Sequence, residues 1–391
     1  MSKAAPVIQW MLKEGRFTGH HMRDFGDQLC VRIVDAGIPI TRAFCGIHTL
    51  HPLVAATAYV WNRDEGAERF TASWEQRDSE EFRNSPPYHV GQTGEQIRRR
   101  LDVPDEQLDF EILKDFKREG MTDYFALPLV FSDGTNNPMT FQTDSPAGFQ
   151  EADIRGLTDI VEMMAPIVET ESAYRIARQV LQTYVGRRTG SRVLSGAITR
   201  GEGETIEAVI WYCDLRGFTG LTDSLPSDQL IALLNDYFEI MAGAVTEVGG
   251  EVLKFVGDAM LAIFALSDEE GNDAEACCAK ALTAARTARE RLAARNAERQ
   301  AAGMAVIECG LALHLGEVHY GNIGAPDRLD FTVIGPAVNH AARLEKLGSQ
   351  LGHSIVASAS VAAAAPGSWF TLGAHELRGV AEPQEIFAPL D

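Results

Sequence analysis

The chain has 391 residues, of which 45% are hydrophobic, so it can build substantial cores and its length suits two or three domains. Its 35 basic and 55 acidic residues give a formal net charge of −20, which argues against a nucleic-acid surface and an anionic membrane as partners. No apolar stretch reaches the length of a membrane span, and the six cysteines form no CxxC motif, so we expect a cytoplasmic protein with reduced thiols.

The first 150 residues predict a mixed unit of helices and strands. The apolar spacing of Phe25–Ala36 favours a helix. Further helices are predicted at Glu95–Leu101 and Phe110–Glu119, and strands at Phe44–Leu50, Ala55–Trp61, Arg69–Trp74, Phe125–Phe131 and Met139–Thr143. Helices before and within a run of strands indicate an α+β sensor-type domain.

The end of this region carries a family resemblance. The apolar run Tyr124–Phe131 is followed by a Ser132-Asp-Gly turn, then by Met139-Thr-Phe-Gln142, and Gly148–Asp153 opens a long helix. This pattern resembles the C-terminal part of a GAF domain, with a PAS-like domain as the alternative. The resemblance implies that residues 1–150 form a regulatory domain for an unknown small-molecule or protein effector.

Residues 151–203 predict a signalling helix followed by a transducer hinge. Apolar residues alternate by three and four at Ile154, Leu157, Val161, Met164 and Val168. Pro166 can kink the helix. Two interpretations stay open: a helix packed on its own domain, or a parallel signalling helix in a dimer. The glycines and arginines of residues 184–203 predict a flexible joint.

The next segment predicts a strand, a helix and a hairpin. The apolar run Ala208–Cys213 favours a buried strand that ends at Asp214. A helical pattern follows at Leu230, Leu233, Leu234, Tyr237, Phe238 and Met241. The runs Glu251–Val256 and Ala259–Phe264, separated by Gly257-Asp258, indicate a β-hairpin with a tight turn.

This order of elements puts one carboxylate at the end of the predicted strand and another in the turn of the predicted hairpin. If the hairpin pairs beside the first strand, Asp214 and Asp258 meet at one sheet edge. Divalent cations would neutralise two such charges, and backbone amides of Leu215–Thr219 could hold phosphate. The combination suggests two-metal phosphoryl chemistry on a nucleotide. Taken singly, Asp258 could simply form the turn, and Asp214 could cap a helix.

The remaining elements follow the same kind of pattern. A packing helix is predicted over Asp273–Gln300 and a strand over Ile307–Leu315. A helix at Ala337–Lys346 carries Asn339 and Arg343, which lie four residues apart and so face the same way. Two short terminal strands are predicted at Phe370–Leu372 and Ile386–Ala388.

Three separated motifs make a second resemblance specific. The segments Cys213–Thr219, Lys254–Asp258 and Thr332–Arg343 together resemble the class III nucleotidyl cyclase catalytic domain, in the family's order. The resemblance covers roughly residues 204–390 and implies a ferredoxin-like βαββαβ core within residues 204–391. It implies a homodimeric adenylate cyclase that converts ATP to 3′,5′-cyclic AMP and pyrophosphate.

The resemblance also assigns roles to individual residues. It places two Mg²⁺ or Mn²⁺ ions per site on Asp214, Asp258 and the Leu215 carbonyl. It implies that Arg343 stabilises charge in the transition state, that Asn339 orients the ribose, and that Lys254 and Thr332 recognise the adenine base. Substrate contacts are further implied for Phe218, Thr219 and Arg378, although the family often has Lys at the last position.

Competing interpretations concern substrate and activity. Lys254 could also donate to guanine O6, which leaves a guanylate cyclase open. A catalytically inactive cyclase fold used as a regulatory module is another alternative. A diguanylate cyclase is disfavoured because its Gly-Gly-Asp/Glu-Glu-Phe signature does not occur in the sequence.

Overall fold

The structure, a computed structural model, describes residues 3–17, 21–49, 54–267, 269, 271–380 and 382–390. The chain divides into two compact units, Met1–Val180 and Leu181–Asp391. Each unit has its own sheet and its own buried core.

The first unit is built on a six-stranded antiparallel sheet with the order β3-β2-β1-β6-β5-β4. Its strands are β1 (Arg42–His48), β2 (Ala56–Asn62), β3 (Gly66–Ala72), β4 (Ile97–Arg100), β5 (Asp123–Val130) and β6 (Asn136–Thr143). Its helices are α1 (Ala4–Lys13), α2 (Met22–Asp35), α3 (Trp74–Arg77), α4 (Glu80–Arg83), α5 (Pro86–Thr93), α6 (Glu111–Arg118) and α7 (Glu151–Val185). One sheet face packs with α1, α2 and α7 into an apolar core that includes Phe25, Ile33, Phe141 and Leu157.

The predicted helix at Glu95–Leu101 is wrong, because this segment contains strand β4, in which Ile97 pairs with Ala126 of β5. The arginine run of β4 gains charged partners there: Arg98 Nη2 lies 3.0 Å from the buried Asp123 carboxylate, and Arg99 pairs with Asp109. Tertiary pairing therefore overrides the helix propensity of arginine.

The other predicted strands of this unit are confirmed as β1, β2, β3, β5 and β6, with ends shifted by a few residues. Leu50, the last residue of the first predicted strand, lies outside the described residues. The prediction missed α1, and it missed the three short helices α3, α4 and α5, which follow β3.

The long predicted helix is confirmed as α7, with Pro166 inside it. Its apolar seam, including Leu157, Val161, Met164 and Val168, is buried in the core of the first unit. This burial favours the interpretation in which that part of the helix packs on its own domain.

Part of the predicted flexible joint is instead an ordered helix, α8 (Arg187–Leu194). Thr189 is buried and its hydroxyl donates to Glu251 over 3.3 Å. A Cβ on Gly190 would lie 3.1 Å from the backbone nitrogen of Gln182, so glycine permits a close approach of two backbone segments.

The second unit contains a larger sheet with the order β13-β14-β12-β10-β7-β9-β8, and β11 pairs with β10 outside this path. Its strands are β7 (Gly203–Leu215), β8 (Glu251–Val256), β9 (Ala259–Ala265), β10 (Cys309–Ala325), β11 (Arg328–Ile334), β12 (Ile355–Ser358), β13 (Trp369–His375) and β14 (Gln384–Pro389). Its remaining helices are α9 (Phe218–Ser224), α10 (Ser227–Glu247), α11 (Ala274–Ala301), α12 (Pro336–Gln350) and α13 (Ala359–Ala364).

The central part of this unit follows the predicted βαββαβ order. In chain order β7, α10, β8, β9, α11 and β10 give the spatial strand order β10-β7-β9-β8. Helices α10 and α11 cover one sheet face, where Trp211, Tyr237 and Cys278 are buried. On the other face, α12 buries Ala337 and Ala341 against β7 and β10 residues.

The cysteines behave as the sequence predicts, because all six are unpaired and five of them are buried. In the part of the chain that the structure describes, no helix is both long and apolar enough to span a lipid bilayer.

Candidate active site

Two aspartates meet at one edge of the second sheet. Asp214 is the penultimate residue of β7, and Asp258 lies in the turn between β8 and β9. Because β7 pairs antiparallel with β9, with Cys213 opposite Met260, the ends of these segments come together. Gly257 has a φ of 64°, in the left-handed region that glycine tolerates, and this permits the tight turn.

The electrostatics of this pair are unfavourable for the protein alone. The pKa of Asp214 is raised to about 6, mainly by burial. The negative charge of Asp258 and a hydrogen bond with that residue act in the same direction. In addition, Asp214 Oδ1 is buried and has no hydrogen-bond partner. The structure therefore places two like charges together and leaves a buried acceptor unsatisfied.

A divalent cation fits this arrangement. Carboxylate and carbonyl oxygens are the ligands that Mg²⁺ and Mn²⁺ prefer, and Leu215 at the end of β7 supplies a carbonyl next to Asp214. The described residues contain no group of three or more His, Cys, Asp or Glu side chains suited to a metal. An ion here would therefore need backbone, water or substrate oxygens to complete its coordination.

A third carboxylate, Glu345, was missed by the sequence analysis. It lies on α12 and is only 6% exposed, and Gly310, opposite Asp214 in the β7–β10 pairing, leaves space for it. Burial, and next the charge of Asp214, raises the pKa of Glu345 to about 7, with Arg216 acting in the opposite direction. Its position two residues after Arg343, just beyond the end of the third motif, is the signal that could have found it.

The turn that follows Asp214 leads directly into a short helix. Gly217 adopts a φ of 67°, α9 starts at Phe218, and no side chain caps that start. Phe218 packs partly against the main core, whereas Thr219 is exposed. Because Gly217 has no side-chain acceptor, the first amides of α9 lack a side-chain cap, as a phosphate-binding helix start requires.

Asn339 and Arg343 form a separate group of donors on α12. Neither side chain makes a hydrogen bond or ion pair with the described residues; Asn339 is exposed and Arg343 is half-buried. The Arg343 guanidinium lies against the loop that contains Arg378, because a Cβ on Gly379 would be 3.4 Å from Arg343 Nη1. The structure thus brings Arg343 next to the Arg378 loop, but joins neither residue to the two aspartates by a hydrogen bond or ion pair.

The two residues assigned to base recognition lie on β8 and β11. Lys254 Nζ donates to Asp330 Oδ2 over 3.2 Å, which links these strands. Thr332 lies two residues after Asp330 on β11 and is 3% exposed, and its hydroxyl oxygen has no hydrogen-bond partner. Sequence reasoning missed Asp330, since its role depends on the approach of two strands that are distant in the chain.

With this geometry in view, the similarity to known proteins becomes informative. Residues 202–380 match the family model of the adenylate and guanylate cyclase catalytic domain. Residues 202–380 therefore form a class III nucleotidyl cyclase catalytic domain, and this range contains Asp214, Asp258, Lys254, Thr332, Asn339 and Arg343.

Individual relatives include an adenylate cyclase from Anabaena cylindrica, which is 36% identical over 165 residues, covering 41% of this chain and 31% of the relative. Adenylate cyclase 1 from Rhizobium meliloti is 27% identical over 241 residues, covering 61% of this chain and 36% of the relative. The chain thus spans about a third of the length of these curated relatives. A solved bacterial light-regulated adenylyl cyclase shares the fold, with a TM-score of 0.50 and 22% identity over 71% of this chain and 87% of that one.

Proposed function

We propose that this protein is an adenylate cyclase that converts ATP to 3′,5′-cyclic AMP and pyrophosphate. The observation that carries the proposal is the pair Asp214 and Asp258, held together at the sheet edge with a buried, unsatisfied oxygen. The cyclase family match over residues 202–380 supports the same reaction class.

Asp214, Asp258 and the Leu215 carbonyl would hold two Mg²⁺ or Mn²⁺ ions. When bound there, the ions lower the pKa of the ribose 3′-hydroxyl and neutralise charge on the triphosphate. Asp214 at the end of β7 and Asp258 in the turn between β8 and β9 contribute the negative charge that would retain the cations.

The other residues of the chain orient the nucleotide. Asn339 would hold the ribose, and Arg343 would donate to the α-phosphate, where a guanidinium stabilises charge that develops in the transition state. Arg378 and the turn with Phe218 and Thr219 would bind the triphosphate oxygens. The 3′-oxygen then attacks the α-phosphorus in line, and pyrophosphate leaves.

We infer that the active site is shared between two copies of this chain. Asn339 and Arg343 have no side-chain partners among the described residues, whereas Asp214 and Asp258 contact each other. A head-to-tail homodimer would bring the donors of one copy to the carboxylates of the other and create two equivalent sites.

Base selection follows from Lys254 and Thr332. Adenine offers an acceptor at N1 and a donor at N6, which a lysine donor and the unpartnered threonine hydroxyl can satisfy. A guanylate cyclase is the second candidate, because Asp330 lies beside Lys254 and could accept from the N1–H and N2–H donors of guanine.

We further propose that residues 1–150 form a regulatory domain, GAF-like or alternatively PAS-like, that binds an effector. Residues 151–203 would couple it to the catalytic domain at residues 204–391. The six unpaired cysteines fit a reducing compartment, so we propose a cytoplasmic location.

The direct test is to incubate the purified full chain with ATP or GTP and either Mg²⁺ or Mn²⁺, and to identify the products by chromatography and mass spectrometry. We expect 3′,5′-cyclic AMP and pyrophosphate in equal amounts from ATP, and no product from an Asp258→Ala preparation made in parallel. Cyclic GMP as the main product would favour the second candidate. If neither nucleotide is cyclised with either metal, the domain is a binding module and the proposed activity is wrong.

A further inference from the structure

The sheet of the first unit has a second face that encloses a cavity. The cavity has a volume of about 610 Å³ and lies on the opposite side of the sheet from the core formed with α1, α2 and α7. Residues of α3, α4 and α5, including Gln76, Phe82 and Pro87, also line it. Its size falls within the range of pockets that hold small organic ligands.

The sheet register explains why space is left on this face. Gly46 of β1 lies opposite Ala58 of β2, and His48 lies opposite Ala56, so small side chains occupy three of these four neighbouring positions. A Cβ on Gly46 would already lie 3.2 Å from the Phe44 ring and 3.3 Å from Pro138. The cavity therefore exists because small residues occupy these paired positions.

Aromatic side chains make most of the cavity apolar. Phe44, Phe82 and Phe116 line it, with Phe70 and Ile112 toward the exposed side. Such walls favour a flat aromatic or hydrocarbon body over a sugar or a peptide backbone.

One charged group stands out among these walls. Arg42 is half-buried, and its guanidinium forms no ion pair with the described residues. Within the described residues its side chain makes one hydrogen bond, from Nη1 to Gln142 Oε1 over 3.3 Å, and its Cζ lies 5.2 Å from the centre of the Phe116 ring. Burial lowers the pKa of Arg42, but an arginine stays charged at neutral pH.

The neighbouring polar groups leave the cavity rich in donors. Gln142 is fully buried, and its Nε2 has no acceptor. Arg77 adds a second cation, and among the described lining residues Glu81 alone is acidic. A ligand acceptor would satisfy donors that otherwise remain buried without partners.

We propose that this cavity binds a small organic carboxylate, whose carboxylate pairs with Arg42 and whose apolar body lies against Phe44, Phe82 and Phe116. A monoanion is favoured because the two cations Arg42 and Arg77 together with Glu81 leave one net positive charge in the described lining, and one guanidinium matches one carboxylate through two parallel hydrogen bonds. A phosphate dianion would leave excess negative charge in an apolar cavity. The ligand would be the effector of the proposed regulatory domain, but the binding itself does not depend on cyclase activity.

The test uses the full chain and four acids with different bodies: benzoate, 2-naphthylacetate, indole-3-acetate and decanoate. Each is compared with its primary amide, which has the same body without the charge, by isothermal titration calorimetry. We expect at least one acid to bind below about 1 mM and its amide to bind about tenfold more weakly or worse.

Three variants locate the binding. Arg42→Gln should bring the acid down to the affinity of its amide while amide binding is unchanged, which also shows that the variant is folded. Ala58→Leu should weaken both compounds by filling the cavity, and Arg118→Gln, on the exposed side of α6, should bind like the parent.

The proposal is overturned if none of the four acids binds, or if acid and amide bind the parent equally. It is also overturned if Arg42→Gln retains the parental preference for the acid, or if Ala58→Leu leaves binding unchanged. All of these binding measurements are made without a nucleotide, so a negative result is distinguishable from a failure of the proposed cyclase reaction.

Discussion

The carboxylate pair and the donors of α12 differ in what the chain provides for them. Asp214 and Asp258 lie together and repel each other, so the protein supplies too much negative charge in one place. Asn339 and Arg343 have no side-chain partners in the described part of the chain, so their hydrogen-bonding capacity is unused. Each region lacks what the other offers, as expected of two halves of one nucleotide site.

The acidic half of the site, Asp214 and Asp258, and the donor half, Asn339 and Arg343, also differ in their effect on the stability of the folded chain. A pair of like charges destabilises the folded chain until a cation binds, whereas exposed or half-buried donors are satisfied by water. The acidic half should therefore respond to metal ions and to pH, and the donor half should respond mainly to substrate and to a second chain. The following experiments use this distinction.

Removing the acidic half should have the largest effect. We expect Asp214→Ala or Asp258→Ala to lower kcat for ATP by about a thousandfold or more, because the cations would lose their anionic ligands. Initial rates of cyclic AMP formation at saturating Mn²⁺ measure this effect. Asp228→Ala, at the exposed start of α10, is the matched control and should keep parental activity. Near-parental turnover in either active-site variant would exclude the two-metal assignment.

Exchanging the two residues proposed to recognise the base should have a smaller effect on activity, because the acidic half and the donor half of the site stay unchanged. The parent should prefer ATP over GTP by about tenfold or more in kcat/KM. The double variant Lys254→Glu, Thr332→Ala should lose that preference without losing metal binding. Equal kcat/KM values for the two nucleotides in the parent would contradict the roles given to Lys254 and Thr332.

The smallest expected effect is on the free energy of unfolding, measured with a chelator that removes divalent cations. The folded pKa of Asp214, about 6, lies above its ordinary value of 3.8, so the native state holds this proton more tightly than the unfolded chain. The stability linked to this group is therefore present at low pH and lost as pH rises through about 6. Asp214→Asn removes the loss and should raise the free energy of unfolding by about 1 kcal/mol at neutral pH, after allowance for partial exposure.

Denaturant unfolding at a series of pH values measures this difference. The gain of Asp214→Asn over the parent should shrink toward zero below about pH 4, where both forms are neutral at this position. Added Mg²⁺ should stabilise the parent more than the variant. A variant that is less stable than the parent at neutral pH in chelator would show that the carboxylates are not in conflict.

Much of the catalytic unit could be predicted because its signals are local. The apolar run before Asp214 and the Gly257-Asp258 turn each specify a strand end within a few residues, and the order of elements then brings the two aspartates together. The environments of Asp330 and Glu345 could not be predicted, since they depend on how β8 meets β11 and how α12 packs near β7. Periodicity in the sequence carries no information about those distances.

The first unit shows the same limit. Arg98–Arg100 have good helix propensity, and only the pairing with β5, more than twenty residues away, makes them a strand. The cavity likewise arises from Gly46 and Ala58, which become neighbours through the register of β1 and β2. The charge of Arg42 was visible in the sequence, but it could not be predicted that this side chain forms no ion pair within the described residues.

The central claim, a site divided between two copies of the chain, is tested most directly by mixing two inactive variants. Asp214→Ala and Arg343→Ala homodimers each lack one half of both sites, whereas a mixed dimer contains one site with all of its residues. Co-expressed with random pairing, about half of the dimers are mixed and each has one working site, so activity should recover to about a quarter of the parental value. Recovery at that level supports the divided site, and continued inactivity in verified mixed dimers would contradict it.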